Sequence, residues 1–162
     1  MTFNSALLNR YRTLLQTTDL QMAYQEFIRF FRYLRTELEK QMPDCKFQGG
    51  IVENAMEYAY FSLTNDCLRT EGLKIVVAFV HKTFQLEVWI SGVNRKVQCS
   101  WKEKLEISLP LELTPDPKST DFIARIPVNS DISNGDNAVI AVQEAVKQCI
   151  SLLEACLSEK RV

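Results

Sequence analysis

The sequence has 162 residues, and its 19 lysines and arginines nearly balance its 20 aspartates and glutamates. This length is typical of a single domain with its own hydrophobic core, and a hydrophobic fraction of 46% excludes global disorder. Because no basic excess exists to neutralise phosphates, the composition argues against nucleic acid or an anionic membrane surface as the partner.

The N-terminal residues show no basic segment followed by an apolar run, and no stretch approaches the roughly 18 apolar residues of a membrane span. We therefore expect a cytoplasmic protein. The five cysteines form no C-x-x-C pair, and the single histidine, His81, is close to none of them in the sequence. We expect no disulfide framework, no metal site and no cofactor, with Cys149 and Cys156 as core residues of one helix.

Hydrophobic periodicity predicts an N-terminal helical hairpin over residues 4–41. Its second helix begins after Asp19, ends before Pro43 and has an apolar face wider than one contact needs. This helix should contact the sheet on one side and the first helix on the other. Alternatively, the additional apolar surface forms a homodimer interface through helix 19–41 or one wall of a ligand site. The first helix carries its apolar residues on one stripe: Leu7, Leu8, Tyr11, Leu14 and Leu15.

The apolar pattern then changes to period two, which predicts a sheet over residues 46–91. Four strands in succession suggest an antiparallel meander. Its central strand, residues 73–80, is apolar on both alternating sets except at Lys74. The fourth strand begins its alternation at Phe84, and a single helical turn capped by Thr64 is expected between the second and third strands.

The C-terminal half begins with a predicted amphipathic helix over residues 94–104. Residues 106–135 contain four of the five prolines and are expected to be a connection interrupted by one edge strand. The longest helical stripe follows over residues 136–159, with Asp136 or Asn137 as its cap. We therefore predict one α+β domain over residues 1–162: the helical hairpin, a four- to five-stranded mainly antiparallel sheet, and a long C-terminal helix packed on the sheet.

The densest group of polar and aromatic side chains lies on one face of the fourth strand and in the helix after it. Glu87 and Trp89 alternate onto the same side of that strand. Aromatic walls with a few polar anchors are typical of a ligand pocket. The residues expected to bind a ligand are Tyr58, Tyr60, Trp89, Asn94, Arg95 and Gln98.

Two other interpretations of these residues stay open. In a structural one, Glu87 pairs with Lys74 or Arg95, and Trp89 packs under the final helix. In an enzymatic one, His81 and Glu87 form an acid–base pair, which requires them to lie within one hydrogen bond or one water of each other. The leading hypothesis is a non-catalytic module that binds a small molecule or a protein through the Glu87/Trp89 face.

Three segments carry a resemblance to a known family: Tyr60-Phe61-Ser62, residues 73–81 and residues 87–98. Together they resemble a family of small uncharacterised bacterial proteins, with the likeness covering about residues 5–105, either with or without the last helix. Residues 106–137 depart from the family pattern. The resemblance implies the same domain and no reaction, and it singles out Tyr60, His81, Glu87, Trp89, Asn94 and Gln98.

The order of elements also resembles the core of restriction-endonuclease-like nucleases. Such enzymes hold a metal with an acid on one strand and Glu-x-Lys on the next. Here Glu87-Val88-Trp89 places Trp where the motif needs Lys, and residues 73–80 contain no acid. This resemblance therefore implies at most a degenerate nuclease fold.

Overall fold

The computed structural model describes residues 1–105 and 111–159. It has the predicted α+β architecture, with six strands in one antiparallel sheet. Residues 106–110 of the expected connection lie outside the described residues. The helices are α1 (Ser5–Thr17), α2 (Leu20–Gln41), α3 (Asp66–Thr70), α4 (Arg95–Leu105) and α5 (Gly135–Glu159), and the strands are β1 (Lys46–Asn54), β2 (Tyr58–Thr64), β3 (Leu73–Val80), β4 (Gln85–Gly92), β5 (Glu112–Leu113) and β6 (Ala124–Val128).

The sheet has the strand order β1-β2-β3-β4-β6-β5, and each neighbouring pair is antiparallel. The first four strands form the expected meander. β6 was expected at an edge but lies between β4 and β5. Because β5 pairs with Ala124 and Arg125, Pro127 falls beyond the end of β5, where its missing N–H costs no ladder bond on that side.

Alternation along the strands divides the sheet into two faces. The helix face packs against α2 and α5, and its core includes Phe61 and Phe79 from the strands, Phe31 from α2, and Cys149 from α5. Cys156 is also buried, as expected. The opposite face, here called the open face, carries a smaller apolar cluster made of Val76, Ala78 and Trp89, with Tyr58, Tyr60, Val80 and Phe122 around it.

The first helix differs from the expected half of a packed hairpin. α1 is capped by Asn4, whose side chain accepts a hydrogen bond from the Leu7 amide, yet it contains no buried residue. Its apolar stripe is therefore not buried against α2. The physical reason is that α2 turns its buried side chains, such as Phe31 and Leu34, toward the sheet and α5.

Local capping differs in two places from the prediction. The cap of α3 is Asn65 rather than Thr64, because the Asn65 side chain accepts from the Leu68 amide at 2.8 Å. α5 begins earlier than expected, since Asn134 accepts from the Asn137 amide at 3.1 Å.

Phe84, expected in β4, lies in the turn before it with a φ of 53°. Within the described residues, no helix is long and apolar enough to cross a membrane.

Candidate functional site

The open face holds a cavity of about 240 Å³ between β2, β3, β4 and the beginning of α4. Strand pairing explains this grouping: Tyr60 pairs with Ala78, and Val76 pairs with Trp89, so small side chains on β3 separate large rings on β2 and β4. The six residues that the sequence analysis assigned to a ligand site all line this cavity: Tyr58, Tyr60, Trp89, Asn94, Arg95 and Gln98.

Trp89 and Glu87 project together from β4. The Trp89 indole N–H donates to the Glu87 carboxylate at 2.6 Å, and both residues are 5% exposed. The indole also contacts Tyr58 edge-on, with ring centroids 5.2 Å apart, and Phe122 at 5.3 Å. Because its polar group is satisfied internally, Trp89 presents only ring surface to the cavity.

The second oxygen of Glu87 faces β6 rather than the cavity. Arg125, the neighbour of Trp89 across the β4–β6 pair, lies 3.6 Å from this oxygen. Arg125 also binds Glu112 at 2.6 Å, and this hydrogen bond raises the Arg125 pKa and lowers the Glu112 pKa. The predicted pairing of Glu87 with Lys74 or Arg95 is therefore replaced by Arg125. Glu87 acts as a support that fixes the indole.

Trp89 does not pack under the final helix. α5 covers the helix face, whereas Trp89 belongs to the cluster on the open face. The reason is the alternation of β4: Val88 and Ile90 point into the main core beside α5, so Trp89 between them points the other way.

The beginning of α4 approaches the end of β4 very closely and places three residues in the cavity lining: its cap Asn94, Arg95 and Gln98. Asn94 caps this helix by accepting from the Val97 amide at 2.9 Å, which leaves its NH₂ group beside the cavity. Gly92 permits the approach, because a Cβ atom at that position would be 2.7 Å from the Gln98 backbone nitrogen.

Gln98 is a buried anchor for the loop that closes one side of the cavity. Its NH₂ group donates to the carbonyls of Pro117 and Thr120 at 2.9 and 2.7 Å, and its oxygen accepts from the Gly92 amide at 3.3 Å. Ser91 adds a hydrogen bond to the Asp121 carbonyl at 2.7 Å. The hydrogen-bonding groups of Gln98 are thus used to hold the loop in place.

Asp121 is the acidic group of the cavity and was missed by the sequence analysis. Its carboxylate accepts from the Tyr58 hydroxyl and from Arg95, the latter at 2.6 Å. Burial, and after it the hydrogen bond to Asp121, raises the pKa of Tyr58 to about 12. No local pattern could have found Asp121, because it is 26 residues from Arg95 in the chain.

Lys74 is the second charged cavity residue outside the predicted set, although it was visible as the one polar interruption of an apolar strand. No ion-pair partner of Lys74 lies within residues 1–105 and 111–159. The half-exposed Arg95 is paired with the half-exposed Asp121, so the cavity carries two cations and one anion.

His81 lies on the other side of the sheet from Glu87. Its ring packs near Phe27, Phe79 and Tyr24, with centroid distances of 4.8, 5.3 and 6.0 Å. Burial lowers the His81 pKa, and the charge of Glu53 opposes that shift. The structure does not bring His81 and Glu87 together, because alternation sends residue 81 to the helix face and residue 87 to the open face.

The described residues contain no group of three or more His, Cys, Asp or Glu side chains that could hold a metal ion. Among the residues that the structure describes, the cavity lining includes no histidine, cysteine, serine or threonine. Its chemistry is that of aromatic surfaces beside an amide, two cations and one carboxylate, which can bind a ligand by stacking, hydrogen bonding and charge.

Comparison with curated proteins and with solved structures finds no match to this chain. A family model, in contrast, matches nearly the whole chain, which agrees with the resemblance to uncharacterised proteins drawn from the sequence. That match extends beyond the first 105 residues, so the proline-rich connection and α5 are included in the family's domain. The chain therefore belongs to a family described as a domain of unknown function (DUF7000), whose model matches residues 4–157.

Proposed function

We propose that this domain is a non-catalytic binding module that holds a small planar anion in the open-face cavity. The observation that carries the proposal is the cavity itself, in which the ring surfaces of Tyr58, Tyr60 and Trp89 stand beside the cation of Lys74.

The size of the cavity supports a small ligand. A volume of about 240 Å³ is below the roughly 300–1,000 Å³ of sites for drug-sized molecules. A single aromatic or heteroaromatic ring with one acidic substituent suits this space. Rings are favoured because stacked or edge-on aromatic contacts contribute about 0.5–1.5 kcal/mol beyond the area they bury.

The charges of the cavity favour an anion. Lys74 and Arg95 provide two positive groups against the single carboxylate of Asp121. The Arg95–Asp121 pair is half exposed, and such pairs contribute little to stability. Arg95 can therefore share its guanidinium with a ligand carboxylate at small cost, while Lys74 interacts with the ligand directly.

The polar contacts available inside the cavity support binding rather than a reaction. Glu87 is committed to Trp89 and Arg125, and Gln98 is committed to the loop carbonyls. Besides Lys74 and Arg95, the available donors are the Asn94 NH₂ group and the Tyr60 hydroxyl at the cavity wall. These groups can orient a ligand through hydrogen bonds.

The test is a calorimetric and NMR titration of the whole chain with benzoate and nicotinate, and with the neutral analogues benzamide and nicotinamide. We expect the acids to bind about tenfold more tightly than the amides, a factor equivalent to about 1.4 kcal/mol. Lys74→Gln should remove that preference. Lys82→Gln, an exposed lysine in the turn before β4, is the matched control and should leave it unchanged.

Chemical-shift changes should centre on the side-chain resonances of Trp89 and Asn94 and be absent from Trp101, whose indole lies in the main core. Absence of binding by all four probes at millimolar concentration would overturn the proposal. The proposal would also be overturned if Lys74→Gln and Lys82→Gln weakened binding equally, because the probes would then bind outside the cavity.

A further inference from the structure

α1 is a well-formed helix whose apolar surface is left exposed by the described residues of its own chain. None of its residues is buried, and the side chain at the centre of its apolar stripe, Tyr11, is 56% exposed. A helix of 13 residues is marginal in water by itself and normally gains its stability from packing. Contiguous exposed apolar surface of this kind marks an interaction site. The large exposed residues of the stripe are Leu7, Leu8, Tyr11, Leu14 and Leu15.

A groove of about 1,100 Å³ lies on the body of the domain, between the N-terminal half of α2, the β3–β4 turn and the loop before α5. Its apolar lining comes from Ala23, Phe27, Phe30, Phe84 and Ile132, and none of its lining residues belongs to α1. The chain therefore carries both an apolar helix and an apolar groove, and its own helix does not fill the groove.

Phe84 at the groove wall is a second sign of an interaction surface. It is 68% exposed and has a φ of 53°, a left-handed conformation that is unfavourable for a bulky side chain. A strained backbone conformation at an exposed aromatic residue lowers the stability of the isolated domain. Contact with a partner would offset that cost.

The charges of the helix and of the groove are complementary. Successive helical residues are rotated by about 100°, so Arg10 and Arg12 flank the stripe on either side of Tyr11. Residues 1–18 contain these two arginines and no acidic residue. At the groove, Glu26 and Arg29 neutralise each other at 2.6 Å, which leaves two carboxylates, Asp131 and Asp136, as its net charge.

We propose that α1 of one copy of this chain docks into the groove of a second copy, in a two-fold symmetric dimer. Each copy then supplies one helix and one groove, so the contact closes on itself. A helix of this length covers a strip of about 20 Å by 10 Å. Two helices and two grooves together bury about 800 Å², which is below the roughly 1,200–2,000 Å² of stable specific interfaces and corresponds to a weak, concentration-dependent dimer.

This proposal refines the homodimer through helix 19–41 that the sequence suggested, since α2 forms one wall of the groove. It uses a different surface from the open-face cavity and does not depend on the ligand proposed above.

The test measures the mass of the full chain by light scattering and sedimentation from low to high micromolar concentration. We expect a concentration-dependent dimer of twice the 18.7 kDa monomer mass. The double variant Leu8→Glu/Leu15→Glu, which changes exposed residues, should weaken the dimer at least about tenfold. Asn9→Glu on the opposite side of α1 is the matched control and should leave the dimer intact.

A groove variant and a charge reversal test the other side of the contact. Phe84→Asn should weaken the dimer without lowering monomer stability, because asparagine accepts the left-handed conformation. Arg10→Glu/Arg12→Glu should weaken the dimer, and adding Asp131→Lys/Asp136→Lys should restore it.

Three results would overturn the proposal. In the first, the protein is monomeric at every concentration and hydrogen exchange shows that α1 is protected, because α1 would then be held by the groove of its own chain. In the second, the protein is monomeric at every concentration and hydrogen exchange shows that α1 is unprotected. The last is a dimer that Leu8→Glu/Leu15→Glu and Asn9→Glu affect equally.

Discussion

Gly92 and Gln98 approach so closely that a methyl group on the glycine would stand 2.7 Å from the glutamine backbone nitrogen. This contact joins the end of β4 to the first turn of α4. It sets the position of Asn94 and Arg95 relative to Trp89, and therefore the shape of the cavity.

Gly92→Ala tests this contact. We expect a loss of about 1–3 kcal/mol in the free energy of unfolding, because the new methyl group meets backbone rather than a flexible side chain. Gly50→Ala is the matched control, since a Cβ atom there meets nothing within 4 Å and the residue has no positive φ. That variant should stay within about 0.5 kcal/mol of the parent. Urea unfolding measures both, and equal effects would contradict the close contact.

Replacing Glu87 tests its role as the support of Trp89. Glu87→Ala leaves the buried indole N–H without an acceptor and should cost about 1–3 kcal/mol. Glu87→Gln keeps an acceptor oxygen and should cost clearly less. Glu144→Ala, an exposed glutamate on α5, controls for removal of a carboxylate. This role would be refuted if Glu87→Ala left the free energy of unfolding unchanged and the Trp89 indole NMR signal unshifted.

Gln98 should control the order of the loop that carries Asp121. Gln98→Ala leaves two loop carbonyls and the Gly92 amide without this partner, so we expect faster hydrogen exchange in residues 116–123 and a loss of about 1–3 kcal/mol. The Tyr58 pKa should fall from about 12 as its contact with Asp121 loosens. Gln148→Ala on the exposed side of α5 should change neither quantity.

His81 should titrate below its ordinary pKa of 6.5, because burial disfavours the charged ring and Glu53 only partly opposes this. Its contribution to stability is therefore present above pH 6.5 and is lost as the pH falls through the lower folded-state pKa. The single imidazole can be followed by NMR. Phe27→Leu should raise the His81 pKa and Glu53→Gln should lower it. A pKa above 6.5 in the parent would contradict the packing of the ring.

Many features of the fold are local, and the sequence was sufficient to predict them. Apolar spacing predicted α2 and α5, and alternation predicted that Glu87 and Trp89 project together. The six proposed ligand residues also line one cavity, because period-two alternation and the short β4–α4 connection relate most of them over short distances.

Tertiary structure alone decided which partners those side chains meet. Arg125 reaches Glu87 because β6 inserts beside β4, and Asp121 reaches Arg95 because the loop before β6 folds across the end of the sheet. The face of Trp89 depended on where α5 packs. Such relationships depend on strand order and loop closure between distant segments, and a local pattern of residues does not contain that information.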